Sequence, residues 1–383
     1  MNFNWQLIND SITDSDKKAL TDFINEPNQR FTQGKKVKEF EDRWSDYLGC
    51  AYSVFVNSGA SANYIMTSIM KEKKGVGEVI VSPLVNLGFT PVFVDVSLNN
   101  MSISLENIKN AITDKTVGIC LVHVLGFSAI NDELVKFAKD NDLFLIEDCC
   151  ESHGATHKDN LGFTSKVGTF GDISNFSFYF GHHITTIEGG IVCTDDVELY
   201  NYAKLFRSHG MTREASSNLQ EYYQIRYPEL NPLFTFAVPG YNMRNQEFNA
   251  VLGLEQLKRL NFNVDKRSEN FGIWLDNLDS SKFFVDYDQN GNSNFALPLI
   301  LQNKDSDLFK MCCTLLEDEK IEYRVGTAGG GNQARQPYLE KYSVVSHELE
   351  NVNHIHDYGL YVGNHPELTS EQIINLCEKL NEI

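Results

Sequence analysis

Adjacent histidines, His182 and His183, stand in the stretch SFYFGHHITTIEGG (Ser177 to Gly190), between an aromatic run and GGIVCTDD, which has the pattern of a strand. Imidazole can move protons near neutrality, bind a metal or fill a polar turn, and the stretch alone leaves all three open. A metal needs converging ligands, whereas neighbouring side chains diverge and no carboxylate–histidine pattern accompanies this pair. LFLIEDCCESHGA puts Asp148 just past an apolar run, where open α/β sheets gather ligands; a lone Asp there also commonly bonds its own turn. VFVNSGASANYIM passes from a strand into a helix through Ser58, Gly59, Ala60 and Ser61. The free N–H groups and positive end of such a helix suit a phosphate, though most turns of this composition are only turns. His354 and His356 in NHIHDYG could share one face of an extended segment and read as structural.

Positioning these residues requires a large α/β framework. Apolar runs at Glu78 (EVIVSP), Pro91 (PVFVDV), Val117 (VGICLVHV), Leu143 (LFLIED) and Gly189 (GGIVCTDD) alternate with helical segments such as Asp132 to Asp142. That alternation predicts a mostly parallel sheet covered on both faces. The tail changes to strand, helix, strand and helix, an α+β module. The sequence therefore divides into a large domain, 1–264, and a smaller one, 265–383, joined through a long helical stretch from Asn245 to Leu260. With 33 Lys+Arg against 52 Asp+Glu, the net charge is -19, a field that repels nucleic acid. No 18-residue apolar run predicts a membrane span, and no basic, then apolar, leader opens the chain. Eight cysteines include the pairs Cys149–Cys150 and Cys312–Cys313 but no C-x-C or C-x-x-C. They read as reduced thiols of a cytoplasmic protein, without zinc ribbon or iron–sulfur cluster.

In order, NSGASAN, EDCCESHGA, VGTFGD, SFYFGHHITTIEGG, RSHGMTR and VPGYNMRNQEFNAVLGLEQL resemble the sugar-nucleotide aminotransferases of the DegT/DnrJ/EryC1/StrS type. The likeness runs over nearly the whole chain. It implies the aspartate-aminotransferase fold (pyridoxal-phosphate fold type I) and a homodimer with shared active sites. Carried over by position, Gly59, Ala60, Ser61 and Ser177 would hold the cofactor phosphate. Asp148 would pair with the pyridine nitrogen, Glu151 would lie against the ring hydroxyl, and Asn242 would reach the phosphate in the other subunit's site. His209 and Arg244 become candidates for binding substrate or a carboxylate, Arg244 being the better suited.

The resemblance places a lysine that links the cofactor covalently where this chain has His182, and no lysine lies between Lys166 and Lys204. That change resembles the sugar-nucleotide 3-dehydratase branch, which removes the C3 hydroxyl of a nucleotide-linked 4-keto-6-deoxy sugar. His182 would then be the base, and pyridoxal or pyridoxamine phosphate would be held non-covalently. One type in that branch works with GDP-linked sugar and regenerates the amine form with L-glutamate. The other, CDP-linked, carries an iron–sulfur cluster. Cysteine spacing favours the first, while GGGNQARQP at Gly329 looks like the second, so the nucleotide stays open. A transaminase without the lysine and a non-catalytic relative are the alternatives. One departure stands out: after GEVIVSP the family continues with a segment whose aromatic residue stacks on the cofactor ring. Here Ser82–Pro83 runs directly into LVNLGFTPVFVDV, and Phe89 comes too late to replace it.

Overall fold

The computed structural model describes residues 4–80, 85–327 and 329–383. Among the described residues the strands are β1 (Tyr52–Val56), β2 (Glu78–Ile80), β3 (Thr90–Phe93), β4 (Thr116–Val122) and β5 (Phe144–Asp148). They continue as β6 (Thr156–Lys158), β7 (Thr164–Lys166), β8 (Ile173–Ser177), β9 (Gly190–Thr194), β10 (Ala296–Ile300), β11 (Tyr323–Val325), β12 (Val345–Ser346) and β13 (Gly359–Gly363). The helices in the first half are α1 (Asp14–Asn25), α2 (Lys35–Leu48), α3 (Gly59–Lys74), α4 (Leu105–Ala111) and α5 (Asp132–Asp140). Beyond them lie α6 (Val197–Arg207), α7 (Ser217–Arg226), α8 (Glu247–Leu257), α9 (Leu260–Asn277), α10 (Ser306–Asp318), α11 (Glu350–Tyr358) and α12 (Ser370–Glu382).

The main sheet runs β1-β9-β8-β5-β4-β2-β3-β12, and only β9 opposes the rest among the described residues. The carboxyl ends of β1, β4, β5 and β8 therefore share one edge. Such strands are buried on both faces: all five residues of β8 and of β9 are buried. A second sheet, β10-β13-β11, is antiparallel and carries the smaller core. No helix among the described residues is long and apolar enough to cross a membrane.

Helix α2 shows why a polar sequence folds here. Val37, Phe40, Trp44 and Leu48 form one buried stripe at helical spacing, against β1 and α8. Its first turn has no side-chain cap of its own; instead the Glu247 carboxylate accepts N–H groups of Gly34, Lys36 and Val37 at 2.8–2.9 Å. A carboxylate at a helix N-terminus satisfies orphan donors and complements the dipole.

The stretch from Asn245 to Leu260 is not one helix. It breaks at Lys258–Arg259, where Arg259 turns to Asp16 and the Ser11 carbonyl in the N-terminal segment. Residue 264 falls inside α9, which packs Leu260 into the large core and Phe271, Trp274 and Leu275 into the small one. The small core also takes Trp5, Met101, Leu125 and Phe127 from earlier in the chain. His354 and His356 lie on α11, not on an extended segment, so two residues apart they do not share a face. His354 Nε2 bonds the Leu301 carbonyl at 2.7 Å, and His356 Nδ1 contacts Gly330 and Asn332.

Candidate active site

The carboxyl edge gathers the motifs. Ser58 caps α3, its hydroxyl accepting the Ser61 N–H at 3.0 Å, while the Ala62 N–H goes to the Ser58 carbonyl. Of the four donors a helix start leaves open, those of Gly59 and Ala60 have no partner within the helix. The Ser61 hydroxyl accepts from Ser58 Oγ, which leaves its own hydrogen free to donate. Gly59 is required by contact: a Cβ there would stand 2.7 Å from Ser177 Cβ and 3.1 Å from Cys150 Sγ. Ser177, at the end of β8, is thus pressed against the helix start, and Cys150 connects both to Asp148.

Asp148 ends β5 with both oxygens oriented. Asn63 Nδ2 donates to Oδ2 at 2.8 Å and the Cys150 N–H to Oδ1 at 3.1 Å. Glu151 accepts the Leu125 N–H at 2.7 Å. Burial, helped by the nearby Asp148 charge and opposed by that N–H, pushes its carboxyl up to about 7. Asp148, Cys150 and Glu151 line a largely apolar cavity of about 260 Å³ with Val122, Ser102 and Ile103. A largely apolar cavity, a carboxylate at its rim and a helix start with free N–H groups beside it form a set that fits a phosphorylated pyridine.

His182 lies on the turn from β8 to β9, partly exposed, its N–H bonded to the Tyr179 carbonyl and its Nδ1 buried without a partner. Desolvation, with the Arg267 charge adding to it, pulls the imidazole down to about 3, so it is neutral at neutral pH. His183, its neighbour, is buried and anchored. Nε2 donates to the Ser293 carbonyl at 2.9 Å, its carbonyl accepts Asn263 Nδ2 at 2.9 Å, and the Ser293 hydroxyl reaches the His153 carbonyl at 2.6 Å. His153 packs between rings, 5.2 Å from His183 and 5.8 Å from His182. The two histidines of the turn therefore do different work: one is tied to α9 and the small domain, the other keeps an unpartnered ring nitrogen beside Phe295 and His153. Lys166 and Lys204 are spent elsewhere, their ammonium groups over the rings of Tyr47 and Tyr200.

His209, Asn242 and Arg244 are not brought to this cavity. His209 is exposed in a left-handed backbone (φ 62°), and Asn242 Oδ1 accepts from Arg244 Nε at 3.1 Å. Around them Ile225, Leu233, Phe234, Phe236 and Tyr241 are each more than half exposed. Nothing local in the sequence marks Asn63, His153 or Arg267. Asn63 and His153 stand inside the quoted motifs, but their partners are far along the chain.

Among the described residues, His123, Glu147 and Cys149 are close enough to suggest a metal. The lone pairs of His123 and Glu147 are in use. His123 Nδ1 accepts the Ala129 N–H at 3.0 Å, and Glu147 takes three backbone N–H groups, those of Gly168, Phe170 and Gly171. The trio reads as a structural pin between β4, β5 and the turn before β8. The Ser82–Pro83 junction lies outside the described residues; Phe89, beyond it, is buried in the core.

The DegT/DnrJ/EryC1/StrS aminotransferase family matches residues 10–381. The chain is 34% identical over 400 aligned positions to GDP-4-keto-6-deoxy-D-mannose 3-dehydratase of Yersinia pseudotuberculosis, covering 99% of this chain and 98% of that one. Those 400 positions exceed the 383 residues here, so the relative carries segments that this chain lacks. The structure of the E. coli GDP-4-keto-6-deoxy-D-mannose 3-dehydratase with bound hydrated pyridoxal phosphate superposes with a TM-score of 0.88 at 30% identity, over 99% of this chain and 100% of that one. A crystal structure of GDP-4-keto-6-deoxymannose 3-dehydratase with a trapped PLP–glutamate geminal diamine gives 0.86 at 29% identity, over 98% and 100%.

Proposed function

This chain belongs to the DegT/DnrJ/EryC1/StrS aminotransferase family, and from that premise we propose that it is a pyridoxamine-phosphate-dependent lyase that removes the C3 hydroxyl of a nucleotide-linked 4-keto-6-deoxy sugar. GDP-4-keto-6-deoxy-D-mannose, the substrate named for relatives at 34% and 31% identity, is the first to try. The observation that carries this reading is His182, a neutral imidazole at the carboxyl edge in the position that the family fills with lysine.

Bound in the cavity, the cofactor supplies an amine for the sugar ketone and a ring that takes up electron density. Asp148 keeps the pyridine nitrogen protonated, its own oxygens fixed by Asn63 and the Cys150 N–H. Glu151, neutral up to about pH 7, can donate a hydrogen bond to the ring hydroxyl. The N–H groups of Gly59 and Ala60, with the hydroxyls of Ser61 and Ser177, hold the phosphate. With the cofactor bound, His182 would serve first as base and then as acid, its neutral imidazole taking up a proton and returning it to the departing C3 hydroxyl. L-Glutamate would restore the amine, so that each hydroxyl removed would consume one glutamate and yield 2-oxoglutarate and ammonia. Two copies of the chain meet on the face around Phe236, where His209, Asn242 and Arg244 serve the partner's cavity as ligands for the cofactor phosphate, the substrate or the glutamate carboxylate. Eight free thiols suit a cytoplasmic setting.

The test is a product assay with pyridoxal phosphate, L-glutamate and the GDP-linked keto sugar. The expected result is a 3-deoxy-4-keto sugar with ammonia released in equal amount. Borohydride treatment should leave the cofactor removable by dialysis. Nitrogen retained at C4 would overturn the reading in favour of transamination.

A further inference from the structure

A second reactive cluster lies at the opposite ends of β1 and β9, away from the cavity. Cys50 follows Gly49, which ends α2 in a left-handed conformation. Its Sγ stands 3.7 Å from Ser53 Oγ and 3.8 Å from Ser45 Oγ, and the two hydroxyls are hydrogen-bonded at 2.7 Å. The same Ser53 hydroxyl lies 3.5 Å from Cys193 Sγ, and Ser53 and Cys193 are paired across the two strands. Two sulfurs therefore flank one hydroxyl. Cys193 is fully buried and Cys50 is partly exposed.

We propose that Cys50 and Cys193 are a thiol pair that hydroperoxides convert to a disulfide. The Cys50 thiolate attacks the peroxide, the O–O bond breaks, and water (or the alcohol) leaves with sulfenic acid formed at Cys50. The Cys193 thiol then attacks that sulfur and a second water leaves. Two thiols lose two electrons and two protons, and the peroxide takes up both. Cys50 is the attacking group because it is reachable and because hydrogen bonds, that from Cys193 foremost, pull its thiol down to about 7 against its burial. The other partly exposed cysteines are held as thiols: burial pushes up Cys313, and burial with the Asp148 charge pushes up Cys150. Cys193, raised by burial, waits as the resolving thiol.

Full-length reduced protein, treated with stoichiometric hydrogen peroxide, is followed by intact mass and peptide mapping. The expected result is loss of two hydrogens, a Cys50–Cys193 cross-linked peptide, and reversal by dithiothreitol. In Cys193→Ser, dimedone should trap sulfenic acid at Cys50. Cys50→Ser should slow thiol loss at least tenfold. Cys150 or Cys313 reacting first in the wild-type protein, or Cys50 gaining two oxygens without a cross-link, would overturn the proposal, and neither observation depends on a variant folding.

Discussion

The cavity at the carboxyl edge and the exposed face around Asn242 are built in opposite ways. Around Asp148 nearly every polar group already has a partner from the same chain: Asn63 on one oxygen, a backbone N–H on the other, Leu125 on Glu151. At the other region His209, Asn242 and Arg244 stand among exposed aromatic and aliphatic side chains, bonded mainly to one another and to nearby backbone. Exposed apolar surface of this kind suits the dimer contact proposed above. The first region is finished by folding; on the proposed reading the second is finished by association.

The sharpest way to break that contrast is to mix variants. His182→Asn alone should lose about 10²- to 10⁴-fold in turnover, the usual worth of a positioned base. Arg244→Ala alone should also be impaired. If each cavity takes Arg244 from the partner, refolding the two together should restore about a quarter of the wild-type sites, because half the dimers are mixed and each has one intact site. No recovery would mean that Arg244 serves its own chain.

Acid stability probes the finished region. His153, His182 and His183 are held below the ordinary histidine range by burial, with the Arg267 charge adding to it. Unfolded, they take up protons below pH 6.5 or so, whereas folded they stay neutral, His182 down to about 3. Stability is therefore complete above that range and falls as pH drops through it, by about 1.4 kcal/mol per pH unit for each proton. Urea unfolding between pH 7.5 and 5 should show the fall, and His153→Leu should make it shallower by one proton. An unchanged slope would remove His153 from the argument.

The smallest effect concerns orientation. Asn63→Leu removes one hydrogen bond to a charged group, worth about 1.5–3 kcal/mol when buried. Pyridoxal phosphate should bind about tenfold more weakly by absorbance titration, with the fold intact by circular dichroism. Unaltered affinity and spectrum would show that the Cys150 N–H suffices to hold Asp148.

Sequence made His182 legible because an expected lysine was missing from a recognisable order of motifs, and the parallel sheet because apolar runs recur between helices. What it concealed was pairing at a distance. Asn63 belongs to a quoted motif, yet its partner lies 85 residues on. The break at Lys258–Arg259 depends on Asp16, near the other end of the chain. The spacing of His354 and His356 suits an extended segment, but the chain coils there as α11, with His354 turned toward the carbonyl of Leu301. The two-residue β12 gains its place only from parallel pairing with β3, so no local pattern announces it.

The reversed direction of β9 carries a consequence for how such a protein changes its chemistry. A parallel neighbour would have sent the chain leaving β8 through a crossover to the far side of the sheet. Instead it turns round at the ligand edge, moored by His183, Thr185 and Thr186, while residues 179–182 form the short link before them. The moorings hold the scaffold, and the proposed base sits on the link between them. On the proposed reading, a single exchange at position 182 would swap a covalent anchor for a proton carrier while leaving the supporting sheet unchanged.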